Sequence, residues 1–149
     1  MGFRFRGDGI SNRSAATITL TNNTFANNGT AINLSPNSPA PGGGSFDVQY
    51  FNNIIANNTL GVTINSNVHI LKHGNDALWG NTTNYSGLAA DGPGTVKADL
   101  MLDNSTVPPG LLPGSPCRGA GSVTEAAATD FYGRARGTSI DIGAVQSSL

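Results

Sequence analysis

Asp47, His69, Lys72, His73 and Asp76 are the residues of this chain whose types and spacing suit acid–base chemistry. Two carboxylates held roughly 5–9.5 Å apart can act as general acid and as base or nucleophile in hydrolysis. Asp47 and Asp76 are the candidates, joined by Asp8 if the N-terminal turn folds back. Removal of a proton next to a carboxylate needs instead a base and a cation that neutralises the carboxylate. His69, His73 and Lys72 suit that task, with Arg13 as a possible clamp. A shared metal on His69 and His73 is not expected, because four residues of extended chain separate them by about 13 Å. No cofactor is expected either. Gly42-Gly43-Gly44 is followed by no Lys-Ser/Thr and no helical pattern, so it is not a phosphate loop. The single cysteine, Cys117, reads as a small apolar residue in a turn, with a thiolate activated by Arg118 as the alternative.

These side chains must be placed by elements, and the elements are written as a repeat. "LTNNTFANNGTAINL" (20–34) returns thirty residues later as "FNNIIANNTLGVTIN" (51–65). Ile18 and Leu20 fall on Val48 and Tyr50, Phe25 on Ile55, and Leu34 on Ile64. A weaker third copy follows at an offset of 23, with Asn52 on Asn75, Ile55 on Leu78 and Asn58 on Asn81. The Pro- and Gly-rich loop "SPNSPAPGGGS" (35–45) accounts for the longer first offset, which leaves a period of 22–23 residues. Within each unit apolar residues recur at i, i+2, the period of strands. Short strands at a short, regular period describe a β-solenoid.

Composition agrees. Of 149 residues only 11% are charged, against about 25% in an average soluble domain. Polarity comes from 17 Asn and 14 Thr, beside 20 Gly. Asparagine tolerates the left-handed backbone of a sharp corner, and stacked asparagines hydrogen-bond along a solenoid axis. Asn22-Asn23, Asn52-Asn53 and Asn75 are read as such ladders. Val68 and Ile70 then point inward, and His69, Leu71 and His73 share the outward face with Thr17, Thr19, Thr21, Asp47, Gln49 and Phe51. The opposite parity would bury His73 beside the column containing Tyr50. A net charge of −1 offers no footprint for nucleic acid. No apolar run reaches 18 residues, so no membrane span is expected. "MGFRFRGDGIS" carries no apolar signal-peptide core. Phe3 and Phe5 alternate with Arg4 and Arg6, as in a strand with one apolar face. That strand would cover its own first coil or pair with another subunit. The second is expected here, giving a homo-oligomer through the N-terminal end.

The phrase "NNTFANNGTAI" resembles the right-handed parallel β-helix superfamily of pectate-lyase-like proteins. "LLPGSPCRGAGS" (111–122) and "TDFYGRARGTSIDIGAVQ" (129–146) resemble the closing segment of bacterial secreted β-helix proteins of the choice-of-anchor Q type. Pro113-Gly114-Ser115-Pro116, Gly121, Asp130, Gly133, Arg136 and Asp141-Ile142-Gly143-Ala144 fit that pattern. Cys117-Arg118 departs from the usual apolar pair, and the customary aspartate is Gly119 or absent. The resemblance implies a right-handed parallel β-helix of about four coils. Its parts would be an N-terminal edge segment (1–16), coils (17–110) and a C-terminal capping segment (111–149). It also implies a carbohydrate-associated protein of a secreted or cell-envelope setting, acting on polysaccharide or glycoside. A glycoside hydrolase at the outer solenoid face is one form of that. A uronan lyase or epimerase and a non-catalytic binding or structural module, or fragment of a longer protein, are the others. Asp99, Asp130 and Asp141 are expected to cap turns, with Arg134 and Arg136 as partners. Trp79 and Tyr85 are expected to pack beneath the cap.

Overall fold

The computed structural model describes residues 3–7, 17–36 and 46–147. The loop 37–45, Asp8 and Arg13 lie outside the described residues. Alternating apolar residues and left-handed corners produce short strands with no helix among the described residues. The strands are β1 (Phe3–Gly7), β2 (Thr17–Thr21), β3 (Thr24–Ala26), β4 (Thr30–Pro36), β5 (Phe46–Phe51), β6 (Ile54–Ala56), β7 (Leu60–Ile64), β8 (Val68–Gly74), β9 (Ala77–Trp79) and β10 (Thr83–Gly87). A short antiparallel pair, β11 (Leu102–Asp103) and β12 (Gly110–Leu111), follows. The chain passes three times through three parallel sheets in the same order. The first sheet is β2-β5-β8, the second β3-β6-β9 and the third β1-β4-β7-β10. The protein is therefore all-β with stacked parallel sheets, an arrangement consistent with a β-solenoid. No helix among the described residues is long and apolar enough to cross a membrane.

The register follows the repeat. Ile18 pairs with Val48, Leu20 with Tyr50, Phe25 with Ile55 and Leu34 with Ile64. Inward residues of all three sheets form one core, which includes Leu20, Phe25, Ile32, Leu34, Val48, Ile55, Val62, Ile64 and Leu78. Strand β1 pairs in parallel with β4 of its own chain, Phe3 opposite Ile32 and Phe5 opposite Leu34. Of the two expected placements the strand takes the one on its own chain, at the edge of the third sheet.

The asparagine pairs divide their labour. The first of each pair, at Asn22, Asn27, Asn52 and Asn57, has φ between 53° and 59° and turns the corner, as does Asn75 with φ 51°. The second builds the ladder. Asn53 Oδ1 accepts from the backbone N and Nδ2 of Asn23, at 3.1 and 3.0 Å. Asp76 Oδ1 accepts from the same two atoms of Asn53, both at 2.9 Å. Asn28, Asn58 and Asn81 repeat the pattern at the next corner. Of the asparagines read as ladders, Asn23 and Asn53 carry the axial bonds, while Asn22, Asn52 and Asn75 turn the corners. A left-handed residue directs its side chain away from the axis, so the next one must supply the axial bonds.

The left-handed asparagines Asn22, Asn52 and Asn75 face the C-terminal segment. Asn75 Nδ2 donates to Ala120 O at 3.0 Å. Asn52 Nδ2 donates to Ser122 O, and Asn52 Oδ1 accepts from Ser122 N at 2.7 Å. Asn22 Oδ1 accepts from Ala127 N at 3.0 Å, and Ala144 N donates to Thr24 Oγ1. The tail therefore runs along the side of all three passes, where a cap across the end was expected. It also closes a second core on the outer surface of the second sheet, formed by Ile54, Ala56, Ala77, Leu100, Cys117 and Ile142. Cys117 is fully buried there, and burial pushes its thiol up to about 11, which fits an inert packing residue. Asp99, Asp130 and Asp141 each accept backbone N–H groups in turns. Burial alone would raise Asp130. Hydrogen bonds from Arg134, Gln146 and Tyr132 bring it down to about 2.

The two asparagine roles are separable by mutation. Asn53→Ala removes ladder bonds on both sides and leaves buried partners unsatisfied, at an expected cost of about 3 kcal/mol. Asn52→Gly keeps the left-handed corner and loses only the bonds to Ser122, at about 1 kcal/mol. Urea unfolding midpoints measure both. Equal shifts would show that the two positions are not specialised.

Candidate functional site

With the outer surface of the second sheet covered, the first sheet carries the most varied outward surface. Its threonines, Asp47, Gln49, His69 and Lys72 point outward because Ile18, Leu20, Val48, Tyr50 and Val68 serve the core. Register makes three columns. Thr17, Asp47 and His69 form one, and Thr19, Gln49 and Lys72 the next. Thr21, Phe51 and Gly74 form the third, at the edge overlain by the tail. Neighbours within a column repeat at about 4.8 Å. His69 Nδ1 lies 3.4 Å from Asp47 Oδ1, so the carboxylate can orient the imidazole. Lys72 Nζ lies 3.7 Å from Glu125 Oε1.

Strand β8 does not keep one parity. Val48 pairs with Ile70 but Gln49 pairs with Lys72, so Leu71 is the extra residue of a β-bulge. The bulge leaves His69 outward and turns His73 inward beneath Tyr50. This corrects the placement of His73 on the outward face with His69. The Tyr50 and His73 rings stand 4.9 Å apart, and a Cβ at Gly92 would meet His73 Nδ1 at 2.7 Å. Burial lowers the pKa of His73, partly offset by Asp91. Tyr85 packs against the same core and is hydrogen-bonded to Asp91, which pairs with Lys97. Trp79 is partly exposed on the second sheet, while Tyr85 faces inward; neither lies on the first sheet.

Asp76 is 3% exposed and forms the last rung of the Asn23–Asn53 ladder. Burial pushes its carboxyl up to about 7, against the lowering effect of two hydrogen bonds from Asn53. Of the five sequence candidates, the outward face therefore gathers Asp47, His69 and Lys72, and His73 and Asp76 belong to the interior. Glu125 was not foreseen. It sits 104 residues beyond Thr21, whose Oγ1 donates to its carbonyl at 2.6 Å, and no local sequence signal reports such a contact. Among the described residues, no group of three or more His, Cys, Asp or Glu is arranged to hold a metal ion. A cleft of about 400 Å³ also lies in the tail, lined by Asp103, Arg118, Tyr132 and Arg134 among others, away from these columns. Comparison with family models, with curated proteins and with solved structures finds no match.

The buried Asp76 makes stability pH-dependent. Its folded pKa is raised, so its stabilising contribution is full below the ordinary carboxylate range and is lost as pH rises through about 7. Asp76→Asn keeps the acceptor for Asn53 without the buried charge. The variant should gain on the wild type by a few kcal/mol between about pH 4 and pH 7.5 in thermal unfolding. Parallel pH profiles for the two chains would show that Asp76 titrates as an exposed carboxyl.

Proposed function

We propose that the chain is a carbohydrate-associated protein built on a right-handed parallel β-helix of about four coils, and that it binds polysaccharide or glycoside on the outer face of its first sheet. The setting proposed with this reading is secreted or cell-envelope. The observation that carries it is the pair of columns Thr17–Asp47–His69 and Thr19–Gln49–Lys72. They offer hydroxyl, carboxylate, imidazole, amide and ammonium groups on one regularly spaced surface. Convergent polar groups of this kind give orientation and specificity to a saccharide site. The resemblance of the repeat to the pectate-lyase-like superfamily, which includes carbohydrate-active members, supports the same reading, although fold alone does not assign activity.

Binding stands ahead of catalysis because two of the five candidate side chains are turned into the interior. Glycoside hydrolysis remains the second reading, favoured by the contact of Asp47 with His69. It requires Asp47 to act with a second carboxyl on the same face, a place that Asp76 does not occupy. Uronan elimination requires a cation beside the base. The lysine of this face is shared with Glu125.

Affinity electrophoresis against a panel of soluble polysaccharides tests the reading. At least one polymer should retard the wild type. Asp47→Ala combined with His69→Ala should weaken that association about tenfold, the loss of roughly one or two net hydrogen bonds. Retardation by no polymer, or retardation indifferent to both substitutions, would remove the first sheet as the site. Release of reducing ends by the wild type but not by Asp47→Ala would move the assignment to hydrolysis.

A further inference from the structure

We propose that Glu125 is a specificity-determining residue of the first-sheet face, which it turns against anionic saccharides by neutralising Lys72; this rests on the reading of that face as a saccharide site. The tail brings Glu125 to the face along a fixed path. Thr21 Oγ1 holds its carbonyl at 2.6 Å, and two residues further on Asn22 holds the backbone of Ala127. Three residues before it, Ser122 is paired with Asn52 in both directions. The backbone at position 125 is therefore pinned from both sides. The carboxylate that results lies 3.7 Å from Lys72 Nζ.

The two partners are unequal. The Lys72 side chain is 63% exposed and that of Glu125 is 29% exposed. A long solvated ammonium is free to reorient, whereas the carboxylate rides on an anchored segment, so Glu125 sets where the lysine charge is spent. An exposed pair at this distance contributes little to stability. Its effect is felt by a ligand that needs the same ammonium. Counting side chains, the face presents two carboxylates, Asp47 and Glu125, against one ammonium. A saccharide bearing carboxylates must compete with Glu125 for Lys72 and also sit beside like charge. A neutral saccharide meets neither obstacle. Glu125 is the only glutamate in the chain, and neither the ladders nor the cores use its carboxylate.

Polygalacturonate and its fully methyl-esterified form test the idea, because they share a sugar backbone and differ in charge. The wild type should bind the ester in preference to the free acid. Glu125→Gln keeps the backbone bond to Thr21 and removes the charge. It should raise affinity for the free acid about fivefold at low salt while leaving the ester within twofold. That gain should vanish in 0.5 M NaCl, where the screening length falls to about 4 Å. It should also vanish in Glu125→Gln combined with Lys72→Ala. Urea midpoints of the variants separate this from a loosened tail, which would weaken both polymers together. Retention with an unchanged acid-to-ester ratio in Glu125→Gln, or a gain that survives loss of Lys72, overturns the inference alone. No retention of either polymer by any of the chains overturns both the inference and the use of this face for such saccharides.

Discussion

The left-handed asparagine corner is the constraint on which the other features depend. A short strand can be followed at once by another in a new direction only if one residue adopts positive φ, and asparagine does so at modest cost. Five asparagines meet that demand among the described residues. Once the first residue of a pair has turned outward, the second is directed along the stack, where it bonds to its equivalent one pass away. The outward amides are left as a column of donors and acceptors, and the tail fills them with backbone groups. Axial bonding and tail attachment are thus two results of one backbone geometry.

The same geometry decides which surface is open. Strand β6 carries Ile55 into the inner core and Ile54 into the outer one, so both faces of the second sheet are buried. The first sheet has a single buried face. Its outward threonines, Asp47, Gln49, His69 and Lys72 escape the second core because the tail meets this sheet at its Thr21 edge. Glu125 arrives at that crossing and joins the polar surface that the strands themselves supply.

Much of this was legible in the residue pattern. The offset of 30 and the i, i+2 alternation fix the register of β2 on β5 and of β4 on β7, and both are observed. Which asparagine of each pair carries the ladder was not legible, because two adjacent asparagines look alike in sequence and differ only in φ. The ambiguity between 22 and 23 residues had a physical source. Asp47 pairs with His69 at an offset of 22 and Gln49 with Lys72 at 23, so the extra residue lies inside β8. Strict alternation through "VHILKH" therefore put His73 on the wrong side. Asp76 read as a candidate acid because the ladders were assigned to asparagines alone, and charged residues are seldom fully buried. Glu125 and the lateral course of the tail depend on contacts about a hundred residues apart, which periodicity does not encode.

Stacked repeats that touch only their neighbours can melt one at a time from an end, because each boundary is an independent interface. The tail removes that freedom. Its residues 120–127 are bonded in turn to Asn75, Asn52 and Asn22, so loosening the first pass also strips an anchor from a segment that is holding the third. Local fraying becomes coupled to the whole stack, and the chain gains the all-or-none cooperativity of a globular domain from an architecture whose repeats would otherwise behave as a linear array.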